Sequence, residues 1–257
     1  MFRKLLLSAA CFAFLAPAVL GQTVDEIIAK SIDARGGMDK LKAVQTIKAT
    51  GSLEMAPGMT APGVMYQKRP DQMRLDFTVQ GLTATQAYDG SSAWQIMPFT
   101  GKKDAELMTA DDTKDVKEGA DIDGPLVDYK SKGNTVELVG KEKVEGTDAY
   151  KLKVTMKDGD VKNIYLDADS YLEIKEDGKR MVRGTEQETE SSLSDYREVN
   201  GVMFAYAVES GVKGSPQKQK LTIDKVEVNV PVDSTMFKMP PAAPAPKADE
   251  TKQPPKK

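Results

Sequence analysis

The chain has 257 residues, of which 40% are hydrophobic and 29% are charged, and its formal net charge is −3. It contains no His, which excludes a His-dependent serine hydrolase and removes the commonest general base and metal ligand. The single Cys, Cys11, lies in the first 21 residues, which we expect to be cleaved off. We therefore expect no disulfide, thiol nucleophile or thiolate metal site in the mature protein. We therefore predict a protein without a metal ion or another cofactor.

The first 21 residues are typical of a secretory signal peptide. Arg3 and Lys4 form a basic start, and residues 5–15 form an apolar stretch too short to span a bilayer of about 30 Å. We expect cleavage before Gln22 and an exported protein that does not span the membrane. The alternative is a lipoprotein signal acylated at Cys11, although the apolar stretch before that residue is very short.

Two helices are predicted directly after the signal segment. Thr23 and Glu26 form a capping box, in which each side chain bonds the backbone amide of the other residue. Apolar residues then recur at helical spacing on one face: Val24, Ile27, Ile28 and Ile32. Gly36 and Gly37 end this helix, and residues 38–44 form a short second one.

From residue 46 onward the hydrophobic period changes to two, which indicates β-strands. About a dozen segments have this pattern, and most are joined by short links with Gly, Asp or Asn, as neighbouring antiparallel strands are. The segments are residues 46–55, 64–69, 73–79, 82–88, 92–97, 135–139, 150–156, 161–166, 171–175, 181–189, 193–199, 204–210 and 221–228. Residues 104–132, between the fifth and sixth segments, are predicted to be helical.

These elements predict an α+β fold that is mostly β. An antiparallel sheet of about 11 strands either closes into a barrel or stays open and covers its concave face with helices. The predicted helices are apolar on one stripe only, so they must pack on the sheet. We therefore predict an open half-barrel with helices over its concave face, formed by a single domain of residues 22–239.

The tail, residues 240–257, is rich in Pro, Ala and Lys and has no large apolar residue. Such a segment cannot bury enough surface to offset its ordering entropy, so we predict a disordered tail, either without function or acting as a tether. Without the two positive charges of the signal segment and the net two of the tail, residues 22–239 carry −7. This acidic body argues against nucleic-acid binding, which relies on Lys and Arg at phosphates.

Two groups of short motifs lie at opposite ends of the body of the chain. The first contains Lys68-Arg69-Pro70, Met73, Arg74, Asp89-Gly90, Trp94 and Pro98. The second is Phe237-Lys238-Met239-Pro240-Pro241. In this order they resemble the LolA-like family of periplasmic lipoprotein carriers, over residues 24–241. The chain departs from that family in its greater length, its tail and Met73, where the family often has an aromatic residue.

The resemblance implies a non-enzymatic carrier in the periplasm that binds the acyl chains of lipoproteins, or another lipid, in a hydrophobic cavity. It further implies an inner-membrane transporter that loads the carrier and an outer-membrane acceptor that receives the cargo. We expect the carrier to be a monomer. An envelope-stress sensor that binds a regulatory partner is the alternative on the same fold. A hydrolase with paired carboxylates is a third hypothesis, although nothing in the sequence fixes such a pair in space.

Arg69 is the candidate for gating the cavity, because the resemblance implies that it hydrogen-bonds into the helical lid. Its rigid fork of five donors can cap several carbonyls at once, whereas the alternative is an ordinary surface salt bridge. Twelve apolar residues are predicted to line the cavity, with an ordinary packed core as the alternative for the same set. They are Leu53, Met55, Met73, Leu75, Phe77, Trp94, Ile96, Leu107, Leu126, Leu152, Val154 and Met156.

Two further features have local alternatives. The pairs in Asp111-Asp112 and Asp167-Ala168-Asp169 suggest calcium, but the second lacks the Gly and distant Glu of a calcium loop. We therefore interpret both as carboxylates of turns or helix faces. Residues 56–63, with Met59, are predicted to be a flexible loop, either a plain hairpin or, as in the family's membrane-anchored receptors, a contact with lipid.

Overall fold

The computed structural model of the chain describes residues 22–182 and 185–241. The predicted signal peptide therefore lies outside the described residues, as does the predicted tail beyond Pro241. Within the described part, three α-helices accompany the sheet: α1 (Val24–Ala34), α2 (Met38–Ala43) and α3 (Ala110–Ala120). Two short 3-10 turns are formed by Pro98–Thr100 and Ser234–Phe237.

The described residues form one antiparallel sheet of thirteen strands, against the eleven or so expected. The strands are β1 (Thr46–Ala56), β2 (Met59–Lys68), β3 (Gln72–Val79), β4 (Leu82–Tyr88), β5 (Ala93–Met97), β6 (Lys102–Leu107), β7 (Thr135–Val144), β8 (Thr147–Thr155), β9 (Val161–Asp167), β10 (Glu173–Val182), β11 (Thr185–Val199), β12 (Val202–Val212) and β13 (Gln219–Val228).

The sheet consists of two meanders joined side by side. Its order is β6-β5-β4-β3-β2-β1-β13-β12-β11-β10-β9-β8-β7, so β1 pairs with β13 at the centre. The edge strands β6 and β7 do not pair with each other, and the sheet is therefore open. The chain between them, residues 108–134, carries α3 from one edge to the other. We call this segment the crossing segment.

The contacts of α3 show that the sheet is strongly curved. On one side, Val116 and Ala120 pack against Tyr88 of β4. On the other side, Asp115 and Glu118 pair with Arg180 of β10. Six strands separate β4 from β10 in the sheet, which corresponds to about 30 Å if the sheet were flat. A helix is only about 10–12 Å wide, so the sheet curls around α3 and forms the predicted half-barrel.

Local signals account for α1. The predicted capping box is confirmed, since Thr23 accepts from the Glu26 amide and the Glu26 carboxylate accepts from the Thr23 amide. Ile27 and Ile28 are buried on the sheet side of this helix. The helix ends at Ala34, before Gly36, whose φ of +119° is not helical and where an added Cβ would lie 2.1 Å from the Gly201 carbonyl oxygen.

Three boundaries differ from the prediction. Residues 102–107 form β6, paired with β5, so α3 begins only after the Thr109 cap, and residues 121–134 form no regular helix. The predicted strand 181–189 instead spans the end of β10 and the start of β11. The predicted loop 56–63 is mostly strand, since β2 begins at Met59; Pro62 lies one residue past the last β2–β3 pair, Gly63 with Phe77, so its missing N–H removes no bond of that ladder.

Candidate functional site

The register divides the strand residues between two faces of the sheet. Ile47 and Ala49 of β1 pack in one buried cluster with Leu41 of α2 and Val127 of the crossing segment. We call the side of these residues the inner face, because the helices lie on it. Residues directly opposed on neighbouring strands share a face, and successive residues of a strand alternate between faces. Every predicted cavity residue that lies in a strand can therefore be assigned to one side.

Three of the predicted cavity residues are packed core. Leu126, Leu152 and Val154 lie in one cluster with Ile27 and Ile28 of α1, and Leu152 and Val154 are completely buried. This part of the inner face is therefore roofed by α1 and by the crossing segment. Met156 packs at the margin of the same cluster.

Four of the predicted residues lie on an open part of the inner face. Leu53 is directly opposed to Leu221, Leu221 to Val208, and Val208 to Leu193. This row crosses four strands, and all four side chains are half-buried. Next to it, a cluster built in the described chain from strand residues alone contains three more predicted residues, which are Met55, Leu75 and Phe77. We call these seven residues the apolar floor.

Met73 occupies an intermediate position beneath α3. It packs against the cluster that Val116 and Ala120 form with the sheet. A Cβ added to Gly119 of α3 would lie 2.9 Å from the Met73 sulfur, so the helix approaches the strand closely at this glycine. The neighbouring Gln67 side chain donates to the Gly119 carbonyl.

Trp94, Ile96 and Leu107 do not belong to the inner face, which corrects the prediction that they line the cavity. Trp94 is opposed to Ala87, and Ala87 to Arg74, which is adjacent to Met73 and therefore points the other way. Ile96 lies two positions further along the same strand, and Leu107 is opposed to Trp94 and 66% exposed. Alternation showed that Trp94 and Ile96 share a side but not which side, and Leu107 was predicted to be helical rather than part of a strand.

The outer face instead carries the C-terminal segment of the described chain. Trp94 Nε1 donates to the Phe237 carbonyl at 2.7 Å, and Arg74 donates to the Met236 carbonyl at 2.8 Å. Lys68 bonds the Val232 carbonyl at 2.9 Å and the Ser234 hydroxyl at 2.7 Å. These residues of β2, β3 and β5 thus hold residues 232–237 against the sheet, and we call this arrangement the outer clasp.

Arg69 follows β2 and reaches the crossing segment on the inner side. Its guanidinium donates to both carboxylate oxygens of Asp123, at 2.6 and 2.8 Å. It also donates to the Leu41 and Val44 carbonyls at the end of α2, at 3.1 and 2.7 Å. One side chain therefore ties the sheet, α2 and the crossing segment together. No local signal in the sequence identified Asp123 as the partner.

Asp123 accepts hydrogen bonds from three basic residues, Arg35, Lys42 and Arg69, which belong to different elements. Lys42 of α2 donates to its carboxylate at 2.6 Å, and Arg35 at the end of α1 donates to its backbone carbonyl at 2.9 Å. Burial raises the pKa of the Asp123 carboxyl, but the hydrogen bonds from Arg69 and Lys42 outweigh it and lower the pKa to about 2. The carboxylate is therefore ionised at every physiological pH and fastens the crossing segment.

A cavity of about 940 Å³ lies between α3 and the strands β9 to β11. Of the twelve predicted residues, Met156 alone borders it, and most of the described lining is charged. Lys162 of β9 is paired with Glu118 of α3 and, at 3.1 Å, with Glu176 of β10. This cavity is therefore not the predicted hydrophobic cavity, and the apolar floor lies on the same inner face.

The suspected calcium residues have local roles. Asp112 lies in the first turn of α3, where the Thr109 side chain caps its amide. Asp167 accepts the amides of Asp169 and Ser170 in the turn after β9. In residues 22–182 and 185–241, no three acidic, His or Cys side chains come together in a metal-binding group. None of the helices in these ranges is long and apolar enough to cross a membrane.

Comparison with known proteins gives no match in sequence. No protein-family model matches the chain, and no curated protein matches it significantly. Solved structures do match: a DUF1329 family protein from Desulfovibrio piger has a TM-score of 0.60 at 13% identity. The match covers 85% of this chain and 98% of that one.

Two further solved structures also match the chain. A LolA superfamily protein from Nitrosomonas europaea has a TM-score of 0.57 at 12% identity, over 85% of this chain and 98% of that one. An outer membrane lipoprotein-sorting protein domain from Vibrio parahaemolyticus has a TM-score of 0.56 at 13% identity, over 82% and 94%. Identities this low establish the architecture and nothing finer. The chain therefore has the fold of the LolA superfamily.

Proposed function

We propose that the protein is a non-enzymatic periplasmic carrier, which binds the acyl chains of lipoproteins or of another lipid and moves them towards the outer membrane. The observation that carries the proposal is the apolar floor. Six of its seven residues are half-buried and Phe77 is buried, and together they form an apolar surface inside the half-barrel, beside the crossing segment. A protein in water that leaves such a surface open gains by covering it with a ligand.

The energies suit reversible binding. Each buried CH₂ contributes about 0.8 kcal/mol, so an acyl chain of about 16 carbons would gain roughly 12 kcal/mol. Moving the crossing segment aside exposes part of its own apolar surface, since its residues Leu126 and Val127 are buried. The two contributions oppose each other, and a carrier that releases its cargo needs them to be close in size.

Arg69 is the gating residue in this proposal. Its bonds to Asp123 and to the end of α2 stabilise the closed form of the crossing segment. Loading would come from a transporter in the inner membrane and unloading from an acceptor in the outer membrane. The similarity to a structure described as a lipoprotein-sorting domain supports a lipoprotein as the cargo.

The first test identifies the cargo directly. The protein is purified from its native host, and co-purifying lipids are identified by mass spectrometry. The delipidated protein is then titrated with a fluorescent fatty acid. We expect saturable uptake, and a protein that takes up no lipid would contradict the carrier proposal and favour a regulatory binding module on the same fold.

The second test locates the site. Leu53→Gln and Leu221→Gln each place an amide on the apolar floor, where both side chains are half-buried and a polar group keeps contact with water. We expect each to weaken fatty-acid binding by about tenfold. The matched control is Ile96→Gln, also half-buried but on the outer face, which should bind like the original protein. Equal losses in all three variants would contradict this location.

A further inference from the structure

The two sides of α3 make different kinds of contact. Its apolar residues Val116 and Ala120 are buried against Tyr88 and Ala93 of the first meander. Towards the second meander it presents carboxylates instead, with Asp115 and Glu118 reaching Arg180 of β10, and Glu118 also reaching Lys162 of β9. The helix is thus attached by apolar packing on one rim and by ion pairs on the other.

The basic residues on the strand side do not depend on α3 alone. Glu176 of β10 lies 3.1 Å from Lys162 and 3.7 Å from Arg180, so it pairs with both cations from the sheet itself. Lys162 is nearly buried, with a side chain 10% exposed. An unpaired buried cation costs several kcal/mol, but Glu176 keeps Lys162 paired when Glu118 departs. Movement of α3 away from the sheet therefore does not leave Lys162 buried and unpaired.

The carboxylates on the helix side are easily hydrated. The side chains of Asp115 and Glu118 are 57% and 33% exposed while paired, so they regain water readily when α3 moves away. A fourth pair across the same gap joins Lys114 to Asp160 at 2.8 Å, with both side chains about half exposed. Ion pairs this exposed are weak individually and are screened by salt.

We propose that this cluster, formed by Asp115 and Glu118 of α3 with Lys162 and Arg180 of the sheet, is a salt-sensitive latch that lets α3 swing open on its apolar contacts with β4 and β5. The cavity of about 940 Å³ lies directly behind the latch, so its opening would admit a ligand to the inner face. The role in ligand entry rests on the proposed carrier function. The motion itself does not.

The test compares two variants that each remove one negative charge but are expected to give different results. Glu118→Gln removes the helix side of the latch, whereas Glu176→Gln removes the carboxylate that competes for the same two cations. Backbone amide hydrogen exchange of residues 110–120 is measured without any ligand. We expect exchange about fivefold faster in Glu118→Gln, and exchange no faster than in the original protein in Glu176→Gln.

The same hydrogen-exchange measurement is repeated at low and high salt concentration. Raising NaCl from about 0.02 M to about 1 M shortens the screening length to about 3 Å. Salt should speed exchange in α3 of the original protein, and it should do so less in Glu118→Gln, which keeps only the Asp115–Arg180 and Lys114–Asp160 pairs among those described across the gap. Equal acceleration by salt in the original protein and in Glu118→Gln, or no salt dependence in the original protein, would overturn the latch. Failure of fatty-acid uptake alone would remove the carrier function and leave this result intact.

Discussion

The Trp94 indole donates its only hydrogen bond to the carbonyl of Phe237, 143 residues further along the chain, at 2.7 Å. Both residues are almost completely buried. With Lys68 and Arg74 bonded to the same C-terminal segment, residues from both groups of sequence motifs meet on the outer face. Within this protein, these motif residues have a structural role in the outer clasp, while the motif residue Arg69 acts on the inner side.

The indole hydrogen bond predicts a stability loss in Trp94→Phe. The ring is largely retained, but the buried Phe237 carbonyl loses its donor, so we expect unfolding to become easier by about 2 kcal/mol. Urea unfolding followed by circular dichroism measures the change, because the variant no longer contains Trp. Ile96→Val, on the same strand and face, is the control. A loss in Trp94→Phe no greater than in this control would mean that the bond is dispensable.

Asp123 predicts an acid-sensitive step in stability. Its folded pKa of about 2 lies below its ordinary value of 3.8, so its contribution is complete above pH about 4 and is lost as the pH falls towards 2. That contribution is roughly 2 kcal/mol. In Asp123→Asn we expect a flatter stability curve between these pH values, and a loss of about 3 kcal/mol at neutral pH because Arg69 loses its buried partner.

Denaturant unfolding at a series of pH values checks this prediction. Asp148→Asn is the matched control, since Asp148 pairs with Lys143 at the surface with both side chains about two-thirds exposed. Its effect at neutral pH should be negligible. If Asp123→Asn and Asp148→Asn behave alike, Asp123 does not fasten the crossing segment.

The fork of Arg69 predicts a difference between two substitutions. Lysine retains the charge but cannot donate to both oxygens of Asp123 and to two carbonyls at once, whereas leucine loses every bond. Both changes weaken the closed empty form, so bound ligand should be released more slowly, with leucine the stronger effect. Transfer of a fluorescent fatty acid to lipid vesicles measures the rate. Unchanged transfer in Arg69→Leu would refute the gating role.

Glu173 predicts a second pH dependence of opposite sign. Burial, reinforced by the nearby Glu176 carboxylate, raises the pKa of Glu173 to about 8, while Lys162 and Arg35 oppose the shift. The folded protein therefore keeps this proton over a range where the unfolded chain has lost it, and stability falls as the pH rises from about 4.5 to about 8. Glu173→Gln should gain stability relative to the original protein across this range. Thermal melts that shift in parallel would contradict the prediction.

The position of Gly36, just after α1, leaves no room for a side chain, so we expect substitution there to destabilise the protein. The φ of this residue is +119°, and a Cβ would lie 2.1 Å from the Gly201 carbonyl oxygen, a backbone atom that cannot move aside cheaply. Gly37 also has a positive φ, +89°, but a Cβ at that residue would have no neighbouring atom within 4 Å. We expect Gly36→Ala to destabilise the protein by at least ~1 kcal/mol more than Gly37→Ala. Equal urea midpoints would show that the backbone yields there.

The sequence alone determined the features that depend on near neighbours. The capping box of Thr23 and Glu26 joins residues three positions apart, and the alternation along β1 follows from the two-residue period of a strand. Runs of such strands with short links left an antiparallel meander as the simple solution. The mostly β architecture, its open edges and its covering helices were therefore predictable, with boundaries misplaced where β6 and the β10–β11 hairpin lie.

Only the tertiary structure decided which side each strand residue faces and what each charged group meets. The alternating pattern around Trp94 would be the same on either face of the sheet. Its position on the outer face depends on contact with Phe237, which is far along the chain. Likewise, Asp123 lies 54 residues from Arg69 in the sequence, and no local pattern identifies it as the partner of Arg69. Alternation is a local property of the backbone, whereas facing and pairing depend on how the sheet curls and on what the crossing segment covers, and both arise only when distant strands pack together.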